Sequence, residues 1–159
     1  MSTLNDRLRR IDHIGIAVLD LDAAVRFYQS LFGRGPESTG TVVEQQVRTA
    51  FFAAGESSVE LLQPTADDSP VAKFLARRGP GLHHICFAVA DLERALDDLR
   101  RQGMCLIDET PRTGAHGKRI AFVHPKSAGG VLIELAESQR TAACPPHRSP
   151  HDAPGAQSS

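Results

Sequence analysis

The chain has 159 residues, 41% of them hydrophobic, and a formal net charge of -1. That length supports one domain with a sizeable core, or two small halves sharing one. The balanced charge, without long one-sign runs along the core region, argues against nucleic acid or an anionic membrane as partner. No apolar stretch is long enough to span a bilayer and the N-terminus lacks a signal-like apolar segment, so a cytoplasmic protein is expected. Cys86, Cys105 and Cys144 are few and widely spaced, which reads as reduced thiols rather than a disulfide framework or a structural zinc site.

After an N-terminal extension over residues 1–10, "IDHIGIAV" (Ile11–Val18) is a β-rich apolar run. It leads through Asp20, a natural N-cap, into "DLDAAVRFYQSLFG", where Leu21, Ala24, Val25 and Tyr28 recur at helical spacing and Gly33 supplies a stop. "EQQVRTAFF" and "SSVELLQP" then read as strands joined by a Gly-containing turn. Residues 65–81 form a linker. The pattern restarts at "LHHICFAVADLERAL" (Leu82–Leu96), in which His84 repeats His13, Ile85 repeats Ile14 and Asp91 repeats Asp20 at one fixed offset. "DLERALDDLRRQG" is the second helix, stopping at Gly103. A weak strand is expected near "MCLIDET", and "RIAFVHPKSAGGVLIEL" closes the second half as a hairpin, with Ala121-Phe122 repeating Ala50-Phe51. Residues 138–159, rich in Pro, Ser, Ala and Gln, have no apolar period and read as a disordered tail; prolines around His147 and His151 argue against a metal-binding helix there.

The fold class is therefore α+β: a single domain over residues 11–137 built from two βαβββ modules, about 11–64 and 82–137. Each module is too small to close its own curved sheet, and two of them can share one cleft. His13 and His84 form one repeat-related pair, Glu60 and Glu134 a second. In "VELL" and "IELA" each glutamate alternates against apolar neighbours, so both carboxylates take one face of their strands. A buried carboxylate without a partner is costly, and a divalent cation is a good partner. Two imidazoles and two carboxylates suit Co²⁺, Mn²⁺, Ni²⁺, Fe²⁺ or Zn²⁺ and do not choose among them. By alternation His83 faces away from the ligand set; it and its counterpart Asp12 either support the neighbouring ligand or meet solvent.

The duplicated pattern resembles the vicinal oxygen chelate (glyoxalase/bleomycin resistance/dioxygenase) superfamily. "GAHGK" and "FVHPKSAGGVLIEL" bring it nearest to the methylmalonyl-CoA epimerases. The resemblance spans most of residues 11–137. It implies ligand positions at His13, Glu60, His84 and Glu134, an acyl-CoA substrate and a homodimer. The implied reaction is metal-dependent epimerisation of (2R)/(2S)-methylmalonyl-CoA, by removal and return of the alpha proton through a metal-stabilised enolate. Against the family, Thr49 stands where similar sequences carry a glutamate, and Glu60 where they carry a glutamine. The reading taken here is that these differences compensate, making Glu60 and Glu134 the two acid/base groups; the alternative keeps Glu60 as ligand only, with Glu44 or a water as second base. Lysines and glycines around His116, Lys118, His124 and Lys126 suit the substrate carboxylate or the CoA phosphates, with His116, Lys118 and Lys126 as substrate contacts, unless these are plain turns with solvated side chains. A glyoxalase I-type isomerase has a ligand set that fits equally well. So does an epimerase-like enzyme acting on another acyl group, whereas a metal-free sequestering protein would not need the four donors.

Overall fold

The computed structural model describes residues 8–138. The sequence-expected tail from Gln139 onward and Cys144 lie outside them. The chain runs β1 (Leu8–Ala17), α1 (Leu21–Phe32), β2 (Ser38–Val42), β3 (Val47–Ala54), β4 (Ser57–Pro64), α2 (Pro70–Arg78), β5 (Gly81–Val89), α3 (Leu92–Arg101), β6 (Arg112–Thr113), β7 (Arg119–Val123) and β8 (Leu132–Glu137). All eight strands join one curled sheet in the order β2-β3-β4-β1-β5-β8-β7-β6. The order is the repeat made visible. In each half the first strand pairs parallel with the last, β1 with β4 and β5 with β8, and the halves meet where β1 pairs antiparallel with β5.

Register across that central pair positions everything that follows. Ile14 faces its own repeat counterpart, Ile85; on either side His13 pairs with Cys86 and Gly15 with His84. Cross-strand partners share a face, and positions two apart along a strand share it too. His13, Gly15, His84 and Cys86 therefore occupy one face of the sheet. The outer strands extend the two rungs: Glu60 pairs with Gly15 and Phe51, and Glu134 with Cys86 and Phe122. The opposite face carries the main core. Val18, Leu21, Ala50, Phe52 and Leu61 pack with Tyr28 and Phe32 of α1, and Val89, Leu92, Ala95, Leu96, Leu99, Ala121, Val123 and Leu135 pack beneath α3.

The helices are started alike. Asp20 accepts from the Ala23 backbone N–H at 3.0 Å and Asp91 from that of Arg94 at 2.9 Å. Gln63 reaches the Leu21 N–H at 2.9 Å and Glu137 the Leu92 N–H at 3.2 Å, tying each helix to the last strand of its own module. Among the described residues no helix is long and apolar enough to cross a membrane.

Four details depart from the sequence reading. The first strand begins at Leu8 instead of Ile11, because Leu8 and Arg10 go on pairing with Val89 and Ala88 at the end of β5. The segment expected as a linker folds into α2, capped by Ser69 and with Pro70 in its first turn; it buries Val71 against Ala17, Val42, Val47 and Leu62. The strand expected at "EQQV" lies earlier, at Ser38–Val42, and Val43–Gln45 form a helical turn. "MCLIDET" contributes one bridge, Leu106 to Val123, and β6 follows it over two residues only.

Asp20→Ala and Asp91→Ala should each lower stability by about 1 kcal/mol, the usual contribution of such a cap. Urea denaturation of the two variants checks this, and losses below a few tenths would mean that the Gln63 and Glu137 ties alone hold the helix starts.

Candidate metal centre

His13, Glu60, His84 and Glu134 arrive from four adjacent strands in the order β4, β1, β5, β8, so the two histidines are flanked by the two glutamates. All four are buried, at 4–6% exposure. Their donor atoms converge. His13 Nε2 lies 3.0 Å from His84 Nε2, 3.1 Å from Glu60 Oε2 and 3.7 Å from Glu134 Oε2. His84 Nε2 lies 3.4 Å from Glu60 Oε2 and 3.0 Å from Glu134 Oε2. Ligand atoms about 2.0–2.2 Å from a shared ion stand roughly 3–3.5 Å apart; His13, Glu60 and His84 offer donor atoms all within 4.8 Å of one another, as such an ion needs, and Glu134 Oε2 adjoins them through His84.

The other ring nitrogens decide the chemistry. His13 Nδ1 is 3.0 Å from Asp12 Oδ2, and His84 Nδ1 is 3.0 Å from His83 Nδ1. A hydrogen on each Nδ1 satisfies both contacts and leaves both Nε2 atoms as acceptors. Four acceptors then point at one buried spot, and only a cation balances them: a metal ion, or protons in its place. The proton affinities show the same imbalance. Burial disfavours a charged His84, yet Glu134 and Glu60 raise its pKa to about 9. Burial likewise opposes charge on His13, and Asp12, Cys86, Glu134 and Glu60 together lift it well above the ordinary imidazole range. Burial works against ionised Glu134, but the two imidazoles hold it at about 2; Glu60 is lowered for the same reason. Asp12, bonded to His13 and close to Lys118, sits at about 2.

Flanking groups complete the pocket. Phe51 sets its ring edge-on to His13 at 5.7 Å between centroids, and Phe122 does the same to His84 at 5.9 Å. Lys118 Nζ stands 3.2 Å from both Asp12 carboxylate oxygens. His116, in a left-handed conformation (φ 57°), packs its ring at a tilt against Phe51, 4.9 Å between centroids. His13, Glu60 and Glu134 open onto a void of ≈ 20 Å³ lined also by Gln45, Phe51, Ala115, His116 and Lys118, room for about one water. His116 and Lys118 also line a wider cleft of ≈ 480 Å³ that runs past Asp91, Arg119 and Glu137. They stand where the two spaces meet.

The ligand quartet expected from the repeat is thus brought together, and so are His116 and Lys118. Lys126 is not with them. It is exposed in the β7–β8 turn and lines neither space, because that turn lies beyond the far end of the strands from the "GAHGK" loop. His124 shares that turn and accepts from the Lys126 backbone N–H. Thr49 is buried and does not line the donor void; Gln45 does, while its neighbour Glu44 is exposed in the turn after β2. Of the two roles open to His83, support of its neighbour is the one seen: half-buried, its ring packs against Phe74 of α2 and turns Nδ1 toward His84. The sequence reading also passed over Gly15 and Cys86. Their signal was present, as the residues two beyond each histidine at repeat-related positions that fail to match.

A profile of the Glyoxalase/Bleomycin resistance protein/Dioxygenase superfamily matches residues 12–122, and the chain belongs to that superfamily. It is 47% identical over 130 residues to the uncharacterized protein YqjC of Bacillus subtilis (strain 168), covering 82% of this chain and 93% of that protein. It is 39% identical over 132 residues to the mitochondrial methylmalonyl-CoA epimerase of Homo sapiens, covering 82% and 75%. A solved methylmalonyl-CoA epimerase in complex with methylmalonyl-CoA and NH4+ superposes with a TM-score of 0.79 at 44% identity, over 84% of this chain and 96% of that one. Within the superfamily the chain falls in the methylmalonyl-CoA epimerase family, a family of isomerases.

Two outcomes are expected. His84→Ala should lose most bound divalent ion by elemental analysis while the far-UV spectrum is kept; wild-type metal content would remove His84 from the ligand set. The second concerns pH. The raised pKa of His84 stabilises the metal-free fold fully below its ordinary value of 6.5, and that contribution is lost as pH climbs through about 9. An ion replaces those protons, so the stability gap between Co²⁺-loaded and chelator-treated protein should widen by up to ~1.4 kcal/mol per pH unit for each proton displaced. Melting curves at several pH values across that interval read it, and a constant gap contradicts the shared site.

Proposed function

We propose that the protein epimerises (2R)/(2S)-methylmalonyl-CoA at carbon 2, using His13, Glu60, His84 and Glu134 to hold a divalent cation such as Co²⁺, Mn²⁺, Ni²⁺ or Zn²⁺. The observation that carries this reading is the placement of two buried carboxylates on the outer sides of one imidazole pair. The acyl-CoA specificity in the names of its relatives supports the substrate. A divalent ion at these donors would supply Lewis-acid polarisation of a substrate carbonyl. The thioester head would pass between His116 and Lys118, with the CoA chain following the wider cleft. Lys118, drawn from Asp12, would meet the substrate carboxylate.

Proton movement is then the work of the carboxylates. One of them, Glu134 or Glu60, takes the proton from carbon 2 as the C–H electron pair moves into the enolate. The other returns a proton to the opposite face, and the configuration inverts. Each glutamate has a second oxygen beyond the one turned to the histidines. Glu44 is the rival for the second base, since Gln45 beside it lines the donor void. A glyoxalase I-type isomerase would employ the same donors, and turnover of a glutathione hemithioacetal instead of a CoA thioester would favour it. A cytoplasmic homodimer is part of the same proposal, and sizing of the purified protein tests the dimer.

Glu60→Gln retains an oxygen donor and removes a base. In deuterated water the variant should still exchange the alpha proton of one stereoisomer without inverting it, and Glu134→Gln should do so for the other. Epimerisation should fall by about 10²–10⁴-fold in each. Near wild-type inversion by Glu60→Gln with metal retained, together with its loss in Glu44→Gln, would transfer the second role to Glu44.

A further inference from the structure

The two histidines are repeat-related, yet the residues that hold them are not alike. His13 has a carboxylate behind it, Asp12, and the Cys86 thiol against its ring. His84 has a second imidazole behind it, His83. At the position equivalent to Cys86 it meets Gly15, which has no side chain at all.

Gly15 is not a backbone requirement. It is absent from the glycines with positive φ, and as a strand residue it costs stability relative to a larger one. Its reason is spatial. A Cβ built on Gly15 would overlap the His84 ring at Cε1, Nδ1 and Nε2. The imidazole lies flat over the bare backbone of its cross-strand partner. Phe122 stands edge-on to the same ring, and His83, itself braced by Phe74, closes it from behind at Nδ1. Of two facing Nδ1 atoms one must donate and the other accept. With His84 Nε2 turned to the donor cluster as an acceptor, the hydrogen sits on His84 Nδ1, and His83 Nδ1 receives it.

We infer that Gly15 and His83 are positioning residues for His84: Gly15 sets the plane of the ring by leaving room for it, and His83 sets its tautomer by accepting from Nδ1. Partners of this kind orient a ligand and tune its basicity. The device is confined to the second half of the repeat: His13 is backed by a carboxylate, His84 by an imidazole. The inference rests on the proposed cation site, and its stability test is independent of it.

For His83, asparagine can place Oδ1 where Nδ1 stands, whereas phenylalanine keeps the ring but accepts nothing. His83→Phe should weaken Zn²⁺ binding, measured by competition with a chromophoric chelator, about 10- to 100-fold. His83→Asn should stay within about threefold. The reverse order would mean that packing on Phe74 is what matters, and equal affinity in both would deny His83 the role. For Gly15 the readout is the melting temperature of chelator-treated protein. Gly15→Ala should lower it by roughly 5–10 °C in the wild-type background and by little in a His84→Ala background, where the space is vacated. Equal losses in both backgrounds would show that the glycine serves something other than the ring. Loss of Zn²⁺ dependence throughout, with the Gly15–His84 coupling intact, would overturn the cation site and leave the packing relation standing.

Discussion

Antiparallel pairing of β1 with β5, centred on Ile14 opposite Ile85, is the constraint on which the site depends. Each isoleucine is the other's repeat counterpart, so the local twofold relation runs through that rung. One step away on either side, His13 and His84 come onto the same face and turn their Nε2 atoms to 3.0 Å from each other. The parallel partners β4 and β8 then carry Glu60 and Glu134 onto the same two rungs. A slip of one residue at the centre would send both histidines to the helix-covered face and scatter the donors. Register changes flank this stretch, between Ile11 and His13 and between Gly15 and Ile16, and the three His13–Gly15 rungs between them are in constant register.

Burial of this cluster is tolerated because its charges balance. Two ionised carboxylates in an apolar sheet interior would be costly alone. Opposed to two imidazoles they are lowered in pKa while the imidazoles are raised, and the same four atoms that share protons can share an ion. At the proposed cation site, ion binding would be linked to folding through the same protons, with no separate rearrangement of the sheet, since the helix caps and the two core clusters are formed on the other face.

Access is arranged differently from coordination. His13, Glu60 and Glu134 line a void too small for an acyl group, and His116 and Lys118 line both it and the wider cleft. Lys118 is held there by Asp12, the residue that also orients His13. An anionic substrate that draws Lys118 away from Asp12 would at once open the path and alter the support of one ligand. Positioning and admission thus meet at a single carboxylate.

Much of this was legible before the structure. The repeat of His13 in His84 and of Glu60 in Glu134 marked the four side chains that converge, and the apolar periods with Asp20 and Asp91 marked two of the three helices among the described residues, because pattern and capping are local properties. The third helix, α2, escaped notice because "PVAKFLARR" is short and only one of its residues, Val71, is buried. What the sequence could not decide is which residues become neighbours across the centre. That Gly15 lies under His84, that His83 turns its Nδ1 inward, and that Lys118 is at the site while Lys126 is not all depend on strand register and on which end of the sheet each turn occupies. Repetition along a chain determines what kinds of donor exist; pairing between strands determines which of them share a point in space, and that is set by packing over long sequence separations that no local pattern encodes.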